Sequence, residues 1–448
     1  MAETFDLIVA GGICVTPSGR EECDIGIRDG RIAAIGDLAA AAAGRRIDAK
    51  GLHVLPGVID TQVHFREPGN EHKEDLESGT RAAALGGVTA IFEMPNTKPA
   101  TILGEHLDDK IKRATGRAWC DFAFFMGAAK ENVNRLAGLE QLSGCCGVKI
   151  FMGSSTGSLL VADKGLLTTI LERGRRRIAI HAEDEDRLNE RIEYARDGKK
   201  PYCHPIWRDD ETAIIATKKI IEIARKTHRR IHLLHVTTWQ EMDILAENKD
   251  LVSVEVTPQH LTLAAPEAYN RLGTLAQMNP PIRAEKHREG LWRAVRNGIV
   301  DVIGSDHAPH TLEEKAKPYP DSPSGMPGVQ TLVPVMLNHV HEGRLTLERF
   351  VDLTSAGAAR IYNIARKGRI AVGYDGDLTL VDLKAKRTIA NDWIASKCGW
   401  TPFDGMAVTG WPMATVIRGH VVMQDGELAK DGQIGRPVRF TDTGGDAG

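Results

Sequence analysis

Between about residue 54 and residue 365 the chain alternates short apolar, β-branched runs with longer amphipathic stretches. Eight such runs can be read: LPGVIDTQVH, GVTAIFEM, DFAFFMGA, GVKIFMG, RIAIHAE, RIHLLHV, LVSVEVTP and VDVIGSDH. Each has the length and composition of a buried strand. The stretches from His72 to Leu85, Thr212 to Lys226 and Ala284 to Asn297 carry apolar residues at helical spacing. Eight strand–helix units over roughly 300 residues predict an α/β fold with a (β/α)8 TIM-like barrel, whose usual size is about 250 residues before insertions. A doubly wound open sheet would need a glycine-rich phosphate loop after an early strand, and none is present.

The two ends have another texture. IGIRDGRIAAIG places Asp29-Gly30 between two alternating segments, as a hairpin turn requires. Similar short strands and turns return in RIAVGYDGDLTLVDL and ATVIRGHVVMQDGEL. Residues 1–53 and 366–448 are therefore predicted to form one composite β-sandwich domain, and residues 54–365 the barrel.

Composition narrows the partners. The 57 basic and 60 acidic side chains leave a net charge of −3, too balanced to hold nucleic acid or an anionic membrane by charge. No apolar run approaches the ~20 residues of a membrane span, and the opening lacks a signal-peptide pattern. A cytoplasmic protein acting on a small molecule is expected. Seven cysteines without a Cys-x-x-Cys, two of them adjacent as Cys145 and Cys146, argue for reduced packing residues rather than disulfides or a thiolate metal site.

Residues of metal-binding type collect at the C-terminal ends of the apolar runs: Gln62 and His64, Lys149, His181, His235 and Asp306. In a barrel those ends converge on one face, where active sites of this architecture are built. Gln62 and His64, two apart on a strand, point to the same side, with Asp60 one step below. A single strand-end histidine would read as a hydrogen-bonded buried imidazole; three on separate strands, with Asp306 in SDHAPH, predict a metal centre. Imidazole and carboxylate suit zinc first, then manganese or iron. Lys149 inside GVKIFMG is costly to bury as an ammonium. It either pairs with a carboxylate or loses its proton and takes up carbon dioxide as an anionic carbamate.

These motifs have a family resemblance. PGVIDTQVHFREPG, EMPNT, GVKIFMGSSTG, IHLLHVTT, AQMNPPIR and GSDHAPHTLEEK resemble the cyclic amidohydrolases, and within them the dihydroorotases related to that part of the animal multifunctional pyrimidine enzyme. The likeness runs from FDLIVAGG to CGWTPFDG. It implies that His64, His181, His235 and Asp306 are metal ligands, that Asp306 is also the catalytic base, and that Lys149 is carboxylated to bridge two metal ions, here one or two Zn2+. It leaves His232 as structural. One departure is Gln62, where the family has histidine; a neutral amide is a poorer zinc ligand, and Gln62 reads equally as a group hydrogen-bonding a ligand or water.

Arg66, two residues past His64, can grip a carboxylate bidentately. The resemblance adds Asn96 and His310 to that grip, and Asn279 with Ser324 and Gly325 as contacts to a pyrimidine ring. The arginine together with the PNT triplet favours dihydroorotate over hydantoin or allantoin rings. The implied chemistry is opening of dihydroorotate to N-carbamoyl-L-aspartate and the reverse, closing the ring in pyrimidine biosynthesis. The metal would lower the pKa of water to roughly 7, and Asp306 would carry the proton to the ring nitrogen. Gln62 alone favours another reading, a noncatalytic subunit supporting an aspartate transcarbamoylase. A homo-oligomer, with that transcarbamoylase as a candidate partner, is expected. The Lys-, Pro- and Gly-rich stretch from Thr311 to Gly328 reads as a loop over the site.

Overall fold

The computed structural model describes residues 4–16, 19–155 and 159–441; Thr156 and Gly157 of GVKIFMGSSTG lie outside them. Strands β1 (Thr4–Thr16), β2 (Gly19–Arg28), β3 (Arg31–Gly36), β4 (Ala42–Asp48) and β5 (His53–Pro56) come from the first segment. Strands β14 (Leu378–Thr388), β15 (Ala407–Ile417), β16 (His420–Gln424) and β17 (Glu427–Leu428) come from the last. They join in one mixed nine-stranded sheet of order β17-β16-β15-β14-β5-β1-β2-β3, with β4 also on β1. Its two arms share a core of Leu7, Val9, Ile25, Ile27, Leu378, Leu380 and Val416. Asp29 and Gly30, both at positive φ, form the two-residue turn between β2 and β3.

The middle of the chain supplies eight parallel strands: β6 (Val58–Val63), β7 (Val88–Glu93), β8 (Asp121–Gly127), β9 (Cys145–Phe151), β10 (Ile178–His181), β11 (Ile231–Leu233), β12 (Val252–Val256) and β13 (Val302–Ile303). They follow in sequence order around the barrel. A parallel bridge between Val63 and His307 joins the last strand to the first, with the His64 amide donating to the His307 carbonyl at 2.7 Å. Every residue of β6 to β9 is buried. That explains their continuous apolar runs, because parallel strands are covered on both faces. Among the described residues no helix is long and apolar enough to cross a membrane. All seven cysteines are free, and six are buried.

Three expectations shift. The run Leu55–His64 is two strands: Val54, Leu55 and Pro56 pair with β14 in the terminal sheet, and the barrel begins after Gly57. The expected break after residue 53 thus falls inside β5. The crossing is tight, since a Cβ on Gly57 would come within 2.4 Å of the Thr89 hydroxyl. The first predicted helix starts at Leu76 rather than His72, because Asp75 caps it by accepting from the Ser78 amide while the Ser78 hydroxyl accepts from the Asp75 amide. Residues 434–440 leave the terminal sheet and run under the barrel. There the Phe122 amide donates to the Arg436 carbonyl and the Phe122 carbonyl accepts from the Val438 amide, and Phe440 meets Phe92 edge-on at 5.7 Å. Burying Val438 and Phe440 against the open N-terminal end of the barrel drives that excursion. The other two predicted helices are present as Asp210–Thr227 and Glu285–Arg296.

Candidate active site

The C-terminal strand ends open into a cleft lined by Gln62, His64, Arg66, Asn96, Lys149, His181, His235, Asn279, Asp306, Ser324 and Gly325, with Phe151, Ser155 and Ala308. His64, Arg66, Asn96, Lys149, His181, His235 and Asp306 meet here from distant parts of the chain because each lies on or just beyond a barrel strand, while Asn279, Ser324 and Gly325 come from the long connections after β12 and β13. Three of them hold left-handed backbone that non-glycine residues rarely adopt: Arg66 (φ 65°), His235 (φ 37°) and Asp306 (φ 45°). Such strain persists only where surrounding structure imposes it, and it clusters at functional sites.

Two groups of donors face each other. In the first, Gln62 donates its amide to Asp306 Oδ1 at 2.8 Å, and His64 Nε2 lies 3.3 Å from the same oxygen. His64 Nδ1 is 2.7 Å from the Asn96 amide oxygen. An amide oxygen only accepts, so the proton sits on Nδ1 and Nε2 presents a bare lone pair to a carboxylate. In the second group His181 Nε2 lies 2.9 Å from Glu183, leaving its Nδ1 to face His235 Nε2 at 3.1 Å. Burial lowers the pKa of both histidines and of His64, so all three favour the neutral form a metal would bind. Burial also pushes against ionisation of Glu183, but Arg208 and His181 outweigh it and hold this carboxylate well below its usual range.

Lys149 belongs to the same cluster. Its Nζ is buried without a hydrogen-bond partner, 4.5 Å from the Phe151 ring centre. Burial lowers its pKa to about 7, against the pull of Asp306 and Glu255. A large share of this lysine is therefore free amine at neutral pH. The Gln62 amide oxygen is likewise buried and unpartnered. Below, Asp60 accepts from the Gln62 and Ser305 amides and is raised to about 7 by burial. Glu255 is raised to about 8 by the same cause.

Bare imidazole nitrogens, a carboxylate and an unpartnered amide oxygen fit a divalent cation in chemistry and burial. Among the described residues no three His, Cys, Asp or Glu side chains are already gathered on one point, so the fit rests on the two facing groups and on Lys149.

Arg66 is 4% exposed. Its Nε donates to the Pro309 carbonyl at 3.2 Å, and its Nη2 lies 3.3 Å from His310 Nε2. Burial lowers its pKa only to about 10, so it remains a cation. His310 stands behind Arg66 rather than on the cleft wall, 3.1 Å from both the Ser324 carbonyl and Lys73 Nζ. The stretch from Thr311 to Gly328 is pinned by Lys315, whose Nζ donates to the carbonyls of Gln277, Pro323 and Gly325 at 2.8–3.2 Å. Gly325 has φ 144°, and a Cβ there would lie 2.4 Å from the Ala308 carbonyl. His232 sits away from the cleft, bonded to the Ser253 hydroxyl at 2.8 Å.

Sequence reasoning missed Glu183, Arg208, His204 and Ser155. Glu183 had a signal, since it follows His181 by two positions in HAE. The others approach the cleft from helices and loops whose placement no local pattern reveals.

A closed parallel barrel with paired histidines, a lysine and an aspartate at its strand ends defines a class of hydrolase scaffold. Residues 53–422 match the amidohydrolase family, and the chain belongs to it. It is 37% identical to a protein of Halobacterium salinarum named dihydroorotase, over 85% of this chain and 92% of that one. It is 36% identical to one of the same name from Pyrococcus furiosus, over 92% and 90%. In structure it resembles an L-hydantoinase (dihydropyrimidinase) from Arthrobacter aurescens, with a TM-score of 0.91, 30% identity and coverage of 97% and 99%.

Proposed function

We propose that this chain is a dihydroorotase, interconverting dihydroorotate and N-carbamoyl-L-aspartate in pyrimidine biosynthesis. The observation that carries the reading is Arg66: a buried guanidinium held on the wall of the same cleft as the histidine–aspartate–lysine cluster. It suits a ring that bears a carboxylate. The naming of the curated relatives supports it.

In this reading His64, His181, His235 and Asp306, with Gln62 and a Lys149 carbamate, hold one or two zinc ions. Such an ion supplies Lewis-acid polarisation of the ring carbonyl and acidifies water. Asp306 takes the proton from the attacking water and passes it to the ring nitrogen as the C–N bond breaks. Arg66, oriented by Pro309 and His310, holds the carboxylate, Asn96 keeps the His64 proton on Nδ1, and Asn279, Ser324 and Gly325 face the ring. We place this enzyme in the cytoplasm as a homo-oligomer built of a barrel that begins after Gly57 and a terminal β domain.

The test is dihydroorotate hydrolysis together with metal content. Turnover with bound metal supports the reading; no metal and no turnover favours the noncatalytic subunit beside an aspartate transcarbamoylase. The structural likeness to a hydantoinase favours a second reading, a hydantoin or allantoin hydrolase. Arg66→Ala separates the two: dihydroorotate should lose about ten- to a hundredfold in kcat/KM, the worth of hydrogen bonds to a charged group. Rings without a carboxylate should be nearly unaffected.

A further inference from the structure

His204 lies on the short helix His204–Trp207, outside the barrel strands, and is 1% exposed. It bonds to neither group of candidate metal donors. Its Nε2 is 3.1 Å from the Met278 carbonyl, 3.0 Å from the Asn279 amide oxygen and 3.4 Å from the Ser324 hydroxyl, while its Nδ1 is 3.5 Å from the Tyr319 hydroxyl. Asn279 and Ser324 both line the cleft.

The Met278 carbonyl can only accept, so Nε2 carries the hydrogen and Nδ1 is left to accept from Tyr319. Burial, reinforced by Arg208, lowers the pKa of His204 to about 3, so the ring is neutral with that one proton. An Nε2–H beside Asn279 admits only one orientation of its carboxamide, because the reverse would set donor against donor. The amide oxygen faces His204, and the NH2 faces the cleft, where it now reaches the Ser155 hydroxyl at 3.2 Å.

We infer that His204 is a positioning residue for ring selectivity, which fixes Asn279 as a hydrogen-bond donor and so selects a carbonyl of the cyclic amide at that place rather than a ring N–H. This rests on the cyclic-amide reading above. It goes beyond that reading by assigning the polarity of one contact to a residue that does not itself line the cleft.

The test is a double-mutant cycle on dihydroorotate. His204→Leu should raise KM about tenfold, as for one lost hydrogen bond, with kcat within about twofold, because the contact serves ground state and transition state alike. His204→Gln, which keeps an N–H, should restore most of that loss. In an Asn279→Ala background His204→Leu should add less than about twofold, since its effect passes through Asn279. Equal losses in both backgrounds, or a fall in kcat at unchanged KM, would overturn the inference. Nitrogen-15 spectra of the His204 ring in the wild-type protein give an independent reading: the Nε2-protonated tautomer supports it and the Nδ1-protonated tautomer overturns it. Absence of turnover in the wild-type protein would refute the dihydroorotase reading instead, and the tautomer would still decide the role of His204.

Discussion

Lys149 and Lys367 lie toward opposite ends of one barrel, each almost wholly buried at 1% and 5% exposure. Lys367 sits under the N-terminal end with three aspartates. Its Nζ is 2.8 Å from Asp121 and 3.3 Å from Asp375, and it also bonds Asp377, while Arg418 bonds Asp121. Those carboxylates overcome burial and raise its pKa. Lys149 has no hydrogen-bond partner, and burial prevails. The same side chain in the same low-dielectric setting is thus a cross-link at one end and an unpaired amine at the other. Buried charge that is fully paired joins the terminal sheet to the barrel; the buried Lys149 Nζ and Gln62 amide oxygen, left unpaired in the cleft, have room for another group there.

The contrast can be broken most forcefully at the mouth. Asp306→Asn should lower turnover by roughly 10²- to 10⁴-fold, the usual scale of a lost general base. The thermal midpoint should move little, and near-normal turnover would remove Asp306 from the chemistry. At the base, Lys367→Met should cost about 3–5 kcal/mol in denaturant unfolding, since it removes the cation shared by the buried Asp121 and Asp377 and leaves only Arg418 on Asp121. A loss below about 1 kcal/mol would show that this cluster is not the cross-link described.

The same replacement at the other lysine should act differently. In the metal-free protein Lys149→Met should leave stability within about 1 kcal/mol of wild type or raise it, because it removes an uncompensated buried amine. A large destabilisation would mean that Lys149 has a structural partner. The smallest effect is a slope. Asp121 is held below its ordinary carboxylate range by Lys367 and Arg418, which together outweigh burial. Its contribution is complete above the ordinary value of 3.8 and is lost as pH falls through the lower folded value, because only the unfolded chain binds the proton in that window. Asp121→Asn should flatten the acid limb of stability below about pH 4; an unchanged limb would place the acid sensitivity elsewhere.

Much of this was legible in the residues. Fully buried parallel strands write themselves as unbroken apolar runs, so the eight strands, and the polar residues at their C-terminal ends, could be read without coordinates. Asp29-Gly30 announced its hairpin because few other pairs accept positive φ at both positions. The split at Gly57 was hidden, since a run that leaves one sheet and enters another stays equally apolar. So was the excursion of residues 434–440, whose alternation looks the same whether it packs on its own sheet or under a barrel.

At the site, the sequence by itself determined which kinds of atom would gather at the barrel mouth, because strand polarity and the period of two fix which side chains point there. Only the tertiary structure decided which of those atoms are satisfied. Lys149 without a partner, His310 behind Arg66, Glu183 on His181 and His204 on Asn279 all depend on distances between segments far apart in the chain, and hydrogen bonding and desolvation act over a few ångströms of space rather than of sequence.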